Sequence, residues 1–420
     1  MTIQLTTQTD SPIDLKDYKL PNNRRIFGFT DNTKSHMCGV THSIKNLKRV
    51  LENAGNEVQI SFAHDLQSWP LGGTKVRLET SRSLMRKAFK DLEKFQPDHV
   101  HIFTEGPRGF FAKDFLTDNG IPHTSSFHTL WPEYTQEFLT QHYYEFGDRP
   151  LLDTWYGALQ GFHSSSETTM TRSSFMLNQL ANRGFKNLAL WNGGVDVAKF
   201  SPEGELHKGL LELKKRTKKP IVLYVGRISE EKNIEVAINA TEDQNLILIG
   251  AKTPYKKALK NQYEGKNGTQ FYGKVEHSDL AKIYRTADVL IFPSLTDTFG
   301  LVNVEALACG TPIIYFSGTC VDDIVVNGTG VAVNLPPLGD FIKKVKGKDT
   351  LKEKKQKALQ DREKYMIDAL RKSLPDAIDL AKSEATAANC AARAACFSQE
   401  NVTKQFMTNL ADANVKKPLI

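Results

Sequence analysis

Short apolar runs alternate with stretches of helical spacing along most of the chain. In the first half, RRIFGFT (24–30), EVQISFA (57–63), HVHIFT (99–104) and GFHSSS (161–166) read as strands. Between them, Val40–Ala54 and Glu79–Phe95 repeat apolar residues at helical spacing, and Gly55 closes the first in the usual capping place. After residue 220 the pattern starts afresh. IVLYVG (221–226), LILIG (246–250), TQFYG (269–273), DVLIFPS (288–294) and TPIIYF (311–316) are near-continuous apolar runs, as parallel strands covered on both faces require. Helices such as Asp279–Ala287 fall between them, and residues 345–395, charged and then alanine-rich, predict helix. Two successive βαβα runs predict an α/β chain of two doubly wound domains. Pro, Gly and charge interrupt the pattern at FSPEGELHKG (200–209). The expected organisation is a flexible leader over 1–23, one domain over 24–200 and a second over 201–396. Two such domains put a cleft between them, and ligands of such sheets sit beyond the carboxyl ends of the strands.

Length and composition agree with this picture. A chain of 420 residues exceeds what one hydrophobic core serves. No run of about 18 apolar residues appears, so no spanning helix is expected. The start, MTIQLTTQTDSPIDLKDYKL, lacks a basic-then-apolar signal. Cys38, Cys309, Cys320, Cys390 and Cys396 form no C-x-x-C pair, which points to reduced thiols in a cytoplasmic protein and away from a zinc site. The net charge of +7 is densest at KKRTKKP (214–220) and from Lys343 to Lys357. Such runs form solvated faces or meet an anionic membrane; no nucleic-acid-binding module accompanies them. In the helix Glu79–Phe95, Leu84, Met85, Ala88, Phe89 and Leu92 form a stripe. It suits a peripheral membrane contact, though such a stripe is more often a core face packed on its own sheet.

Two motifs at strand ends carry candidate chemistry. In VGRISEEKN (225–233), Gly226 lets the backbone turn, and Arg227 and Lys232 project near a helix start. A guanidinium fork and an ammonium there suit a diphosphate; pairing with Glu230 and Glu231 is the competing arrangement. In TDTFGLVNVEALACG (296–310), Asp297–Gly300 form a strand-to-helix loop and Leu301–Cys309 the helix. Amides around Gly300 and Leu301 would be open to an anion. Glu305 stands among Leu301, Val302, Val304, Ala306 and Leu307. A carboxylate so placed needs hydrogen-bond donors, and the vicinal hydroxyls of a ribose are suitable ones.

With these motifs the chain resembles a family 4 retaining glycosyltransferase of the GT-B fold. The family's G-R-x-x-x-E-K stands here as GRISEEK, and its acid-x7-Glu around Phe-Gly as DTFGLVNVE. HIFTEGPRGFFAK (101–113), SSFHTLWPEY (125–134) and NLALWNGGVDVAKFSP (187–202) extend the likeness, and FSQENVTKQFMTNL (397–410) is similar to the family's closing helix. That likeness assigns 397–420 to a helix packing back on the first domain. The subgroup with T-D-T-F-G and T-E-G-P resembles enzymes making mannosyl, glucosyl or sulfoquinovosyl lipids and related glycans.

The resemblance implies roles for single residues. Arg227 and Lys232 match the pair that holds the donor diphosphate, and Glu305 the acid that binds the ribose hydroxyls. Asp297, where Glu is commoner, matches the acid that contacts the transferred sugar, with the backbone of Phe299, Gly300 and Leu301 beside it. His128 matches the histidine near that sugar, Gly39 the loop glycine that approaches the phosphates, and Lys274 and Val275 the backbone that reads the nucleobase. Glu105 ends a strand and either binds acceptor or caps the helix after Gly106. The implied reaction moves a hexosyl group from a nucleotide-diphosphate sugar, GDP-mannose or a UDP-hexose, to a lipid or glycan hydroxyl, with retention and without metal or cofactor. The rivals are a glycosidase, an epimerase or phosphorylase of the same fold, and a nucleotide-sugar-binding protein without turnover.

Overall fold

A computed structural model describes residues 18–35, 38–64, 69, 70, 77, 78, 82–130, 132, 148–251, 253–266, 268–345 and 350–412. The chain divides into two compact units, Met1–Gly194 with Ser398–Ile420, and Val195–Phe397.

The first unit holds a six-stranded parallel sheet of β1 (Arg25–Thr33), β2 (Glu57–Ala63), β5 (His99–Ile102), β6 (Thr124–Phe127), β7 (Thr169–Thr171) and β8 (Leu188–Leu190). Their order is β2-β1-β5-β6-β7-β8. A short antiparallel pair, β3 (Trp69–Pro70) and β4 (Arg77–Leu78), stands apart from it. Phe27, Phe29, Val100 and Ile102 pack on Ala88 and Leu92 of helix Arg82–Phe95 and on Ala112 and Leu116 of helix Pro107–Asp118. Of the stripe that suited a membrane contact, Met85, Ala88 and Leu92 are core, at most 3% exposed, and Leu84 and Phe89 are half-buried. Ile26, Phe103 and Trp191 pack instead against Ile44 and Leu47 of helix Gly39–Asn53 and Phe406 of helix Gln399–Asp412. Residues 18–23 are tied to this core, with Tyr18 and Leu20 packed on it and the Pro21 carbonyl accepting from Asn56 Nδ2 at 2.8 Å.

One predicted strand is a helix. Gly161–His163 of GFHSSS close the helix Asp148–His163, and the strand lies beyond, at Thr169–Thr171. Polar residues in β6 and β7 hid these strands from an apolar pattern. Thr124, Ser125, Ser126, Thr169 and Thr171 are all buried. His101 bridges Thr124 Oγ1 and Ser126 Oγ at 2.7 Å each, and His163 Nδ1 meets Ser125 Oγ at 2.7 Å. A buried strand can carry hydroxyls when the neighbouring elements satisfy them, as they do here for all of these but Thr171.

The second unit holds a second six-stranded parallel sheet, in the order β11-β10-β9-β12-β13-β14. Its strands are β9 (Ile221–Val225), β10 (Asn245–Ile249), β11 (Gln270–Tyr272), β12 (Val289–Phe292), β13 (Ile313–Phe316) and β14 (Gly330–Val333). Four of them, β9, β10, β12 and β13, are buried at every position, hence their unbroken apolar runs. The predicted helical region 345–395 is two helices, Leu351–Ala381 and Glu384–Ala395. The first opens on a capping box between Thr350 and Glu353 and lays Met366, Leu370 and Leu374 on the sheet core. Among the described residues no helix is long and apolar enough to cross a membrane.

Candidate functional site

In the second sheet the strand order reverses between β9 and β12: the chain leaves β9 outward through β10 and β11, then β12 outward through β13 and β14. Loops leaving two such neighbours diverge and expose backbone groups to a ligand. Gly226, at φ +153°, turns the chain after β9, and a single 3-10 turn, Glu230–Lys232, follows. Asn233, at φ +52°, ties this loop to the next by donating from Nδ2 to the Pro293 carbonyl at 3.1 Å.

The two loops meet through an ion pair. Lys232 Nζ donates to Asp297 Oδ2 at 2.9 Å and to Ser294 Oγ at 3.4 Å. The lysine side chain is 7% exposed and the aspartate 25%. Water competes little for that ammonium, and Asp297 aims it at the loop. Arg227 takes the competing arrangement: its Nη2 lies 2.8 Å from Glu231 Oε1, which also accepts from Ser229 Oγ at 2.6 Å. The guanidinium is more than half exposed.

Gly300 then starts the helix Leu301–Ala308 at φ +81°, and no side chain caps that end. A Cβ on Gly300 would lie 2.5 Å from Asn303 Nδ2, the group that donates back to the Gly300 carbonyl at 3.1 Å. Only glycine allows that turn. Phe299 is buried edge-on against Phe397, ring centroids 5.6 Å apart, so it presents backbone rather than side chain. Glu305, one turn into the helix, is half-buried and has a resident donor: the Tyr284 hydroxyl donates to Oε2 at 3.1 Å. Burial nevertheless pushes the Glu305 carboxyl up to about 7. The sequence offered no partner for Glu305 but an incoming ribose; a carboxylate with one such bond keeps acceptor capacity for more. Lys274, exposed, and Val275, half-buried, follow β11 at the same carboxyl edge. Nearby, the buried Lys256 ammonium donates to the carbonyls of Gly250 and Tyr272, fastening the ends of β10 and β11.

The first sheet reverses between β1 and β5. There Asp31 does what Glu105 was a candidate for. Its carboxylate accepts from Thr104 Oγ1 at 2.8 Å and from the amides of Gly106, Arg108 and Gly109 at 2.9, 2.7 and 3.3 Å, capping helix Pro107–Asp118. A Cβ on Gly106 would sit 2.5 Å from Asp31 Cγ. Burial raises the Asp31 carboxyl to about 6 against those bonds. Glu105 is therefore not the cap; its buried Oε1 lies 3.5 Å from His163 Nε2. His128 follows β6 and meets Trp191 edge-on, centroids 5.5 Å apart. Burial, helped by the Arg172 charge, holds it well below the usual imidazole range, so it is neutral. Gly39 opens the helix Gly39–Asn53.

Every predicted site residue thus lies just beyond the carboxyl end of a strand or on the helix that follows one. Within the second unit, Lys232 and Asp297 come together; Ser294, which meets Lys232, and Tyr284, which meets Glu305, were missed. No local signal marks either, since each acts on a partner from another element. Asp31 was missed too, although an aspartate at the end of a strand near the switch point is a visible cue.

Residues 37–199 match the Glycosyltransferase Family 4 profile and residues 211–371 that of Glycosyl transferases group 1. The sulfoquinovosyl transferase of Arabidopsis thaliana is 24% identical over 364 residues, 81% of this chain and 69% of that one. The alpha-monoglucosyldiacylglycerol synthase of Streptococcus pneumoniae is 26% identical over 330 residues, 72% of this chain and 73% of that one. Among solved structures, the sucrose-phosphate synthase of Thermosynechococcus elongatus superposes with a TM-score of 0.68 at 19% identity, covering 92% of this chain and 98% of that one.

Proposed function

This chain belongs to the family 4 glycosyltransferases, a hexosyltransferase of GT-B fold, and from there we propose that it moves a hexosyl group from a nucleotide-diphosphate sugar to a lipid or glycan hydroxyl with retention. The observation that carries this is the ion pair of buried Lys232 with half-buried Asp297 beside the uncapped helix start at Gly300, with Glu305 one turn further on. Cation, open amides and a carboxylate in that order suit, in turn, the diphosphate, its sugar side and its ribose. A glycosidase has no use for such an ammonium.

In the proposed reaction the acceptor oxygen bonds to the anomeric carbon as the bond from that carbon to the diphosphate oxygen breaks. The acceptor proton passes to the departing phosphate, so nucleoside diphosphate and glycoside leave. Charge builds on the leaving group, and Lys232, the amides at 300–301 and Arg227 stabilise it, Arg227 exchanging Glu231 for phosphate. Asp297 shares its carboxylate between Lys232 and a sugar hydroxyl, and Glu305 accepts from the ribose. Lys274 and Val275 offer backbone to the base. For His128 and Gly39 the assignment rests on the family's motifs alone. The names of the two relatives support a glycolipid acceptor.

Calorimetric titration with UDP-, GDP- and ADP-hexoses, followed by assay with diacylglycerol and monoglycosyl lipid, tests this. Nucleoside diphosphate released only with acceptor, in step with glycoside, is the expected result. Release without acceptor, or no nucleotide binding at all, overturns it.

A further inference from the structure

Arg172, which follows β7, is buried. Its Nη1 donates to the carbonyls of Trp191 and Asn192 at 3.1 and 3.0 Å, and its guanidinium carbon lies 4.3 Å from the Trp191 ring centroid. Among the described residues no acid pairs with it. Burial depresses its pKa to about 9, the mark of a cation short of compensating charge.

Beside it lies a cavity of about 10 Å³, lined by Ser43, Asn46, Arg172, Trp191, Gln399 and Thr403 among others. That is about the space of one water, so a halide, being larger, enters it with a small outward shift of the lining side chains. Three buried atoms of residues that line it, Ser43 Oγ, Asn46 Nδ2 and Trp191 Nε1, have no hydrogen-bond partner among the described residues. Ser43 and Trp191 are 9% and 2% exposed. Two of these atoms can only donate and the third can. Each unpartnered buried donor destabilises the fold, and a buried cation without countercharge does so more. A water accepts two such bonds and needs acceptors for its own protons. An anion accepts them all and neutralises the guanidinium.

We propose that this cavity is a halide site, in which one chloride-sized ion is held by Trp191 Nε1, Asn46 Nδ2 and Ser43 Oγ against the charge of Arg172. The ion would join helix Gly39–Asn53, which carries Ser43 and Asn46, to the ends of β7 and β8 at Arg172 and Trp191. One occupant would thus compensate the buried cation and satisfy the three donors.

The test uses the full chain with bromide as probe. Thermal unfolding is followed as potassium bromide replaces potassium gluconate at constant ionic strength. The site predicts a saturable rise in Tm of about 3 °C over about 200 mM. Trp191→Phe, which keeps the ring and removes one donor, should raise the bromide midpoint about tenfold, and Arg172→Gln should abolish the dependence. Should Arg172→Gln fail to fold, the wild type decides alone: a bromide-soaked crystal should show an anomalous peak in the cavity. Equal Tm in bromide and gluconate, or a cavity holding only water at that concentration, overturns the proposal.

Discussion

Replacing Lys232 by Met tests both what the ammonium does for the fold and what it does for transfer. Met keeps the apolar stem and removes the charge that lies 2.9 Å from Asp297 Oδ2. Taking one partner from a buried ion pair costs about 3–5 kcal/mol, because the other is left buried and charged. Asp297 is one quarter exposed, so water recovers part of that, and about 2–3 kcal/mol is the expected loss. Asp297→Asn in the same chain removes the stranded charge and should restore most of the stability. Transfer responds differently. Removing one preorganised donor from a developing anion costs roughly 10²- to 10³-fold in turnover. The double variant must therefore stay at least that inactive although its stability returns. Urea unfolding reads the first quantity, and acceptor-dependent nucleoside diphosphate release reads the second. Turnover of Lys232→Met within about threefold of wild type, where ~10²-fold is predicted, refutes the leaving-group role. So does recovery of turnover in the double variant, which would leave Lys232 a residue of the fold alone.

Glu305 titrates about 7 in the fold against an ordinary 4.5, so the folded chain binds that proton more tightly than the unfolded one. Its stabilising contribution is full below 4.5 and lost as pH rises to about 7, so unfolding free energy relative to Glu305→Gln should fall across that window and level off above it. Urea unfolding at stepped pH checks the sign; Asp31, raised to about 6, is common to both chains and cancels. Tyr284→Phe removes the bond that favours ionised Glu305, so nucleoside affinity should drop about five- to tenfold at neutral pH and recover partly at higher pH. A calorimetric pH profile like the wild type's would separate Tyr284 from the site. Gly300→Ala places a Cβ 2.5 Å from Asn303 Nδ2 at φ +81° and should cost about 1–3 kcal/mol by urea midpoint, with weaker nucleotide binding. Asp31→Ala strands the amides of Gly106, Arg108 and Gly109 and should destabilise by about 3 kcal/mol or more in the same assay.

The second unit was legible in the sequence because its central strands are buried on both faces, and burial on both faces demands the unbroken runs IVLYV, NLILI and IIYF. Its candidate residues were legible for a related reason: a parallel sheet puts its ligand at strand ends, and strand ends can be counted along a chain. The first unit was less so. TSSF and TMT are buried as fully as any apolar strand, yet the hydroxyls of TSSF are met by His101 and His163, contributed by other elements, and Thr169 Oγ1 by Ser125 Oγ of the neighbouring strand. No periodicity records that. The same limit applies to partners within the site. Lys232 was placed by its motif, but its pairing with Asp297, 65 residues away, is a product of adjacent strands. Glu105 stood one residue from Gly106 and looked like its cap; Asp31, 75 residues from Gly106, does the capping, because β1 lies beside β5. Local sequence determines which groups reach the edge of a sheet. Strand order decides which of them meet, and that order follows from how the whole chain buries its apolar faces.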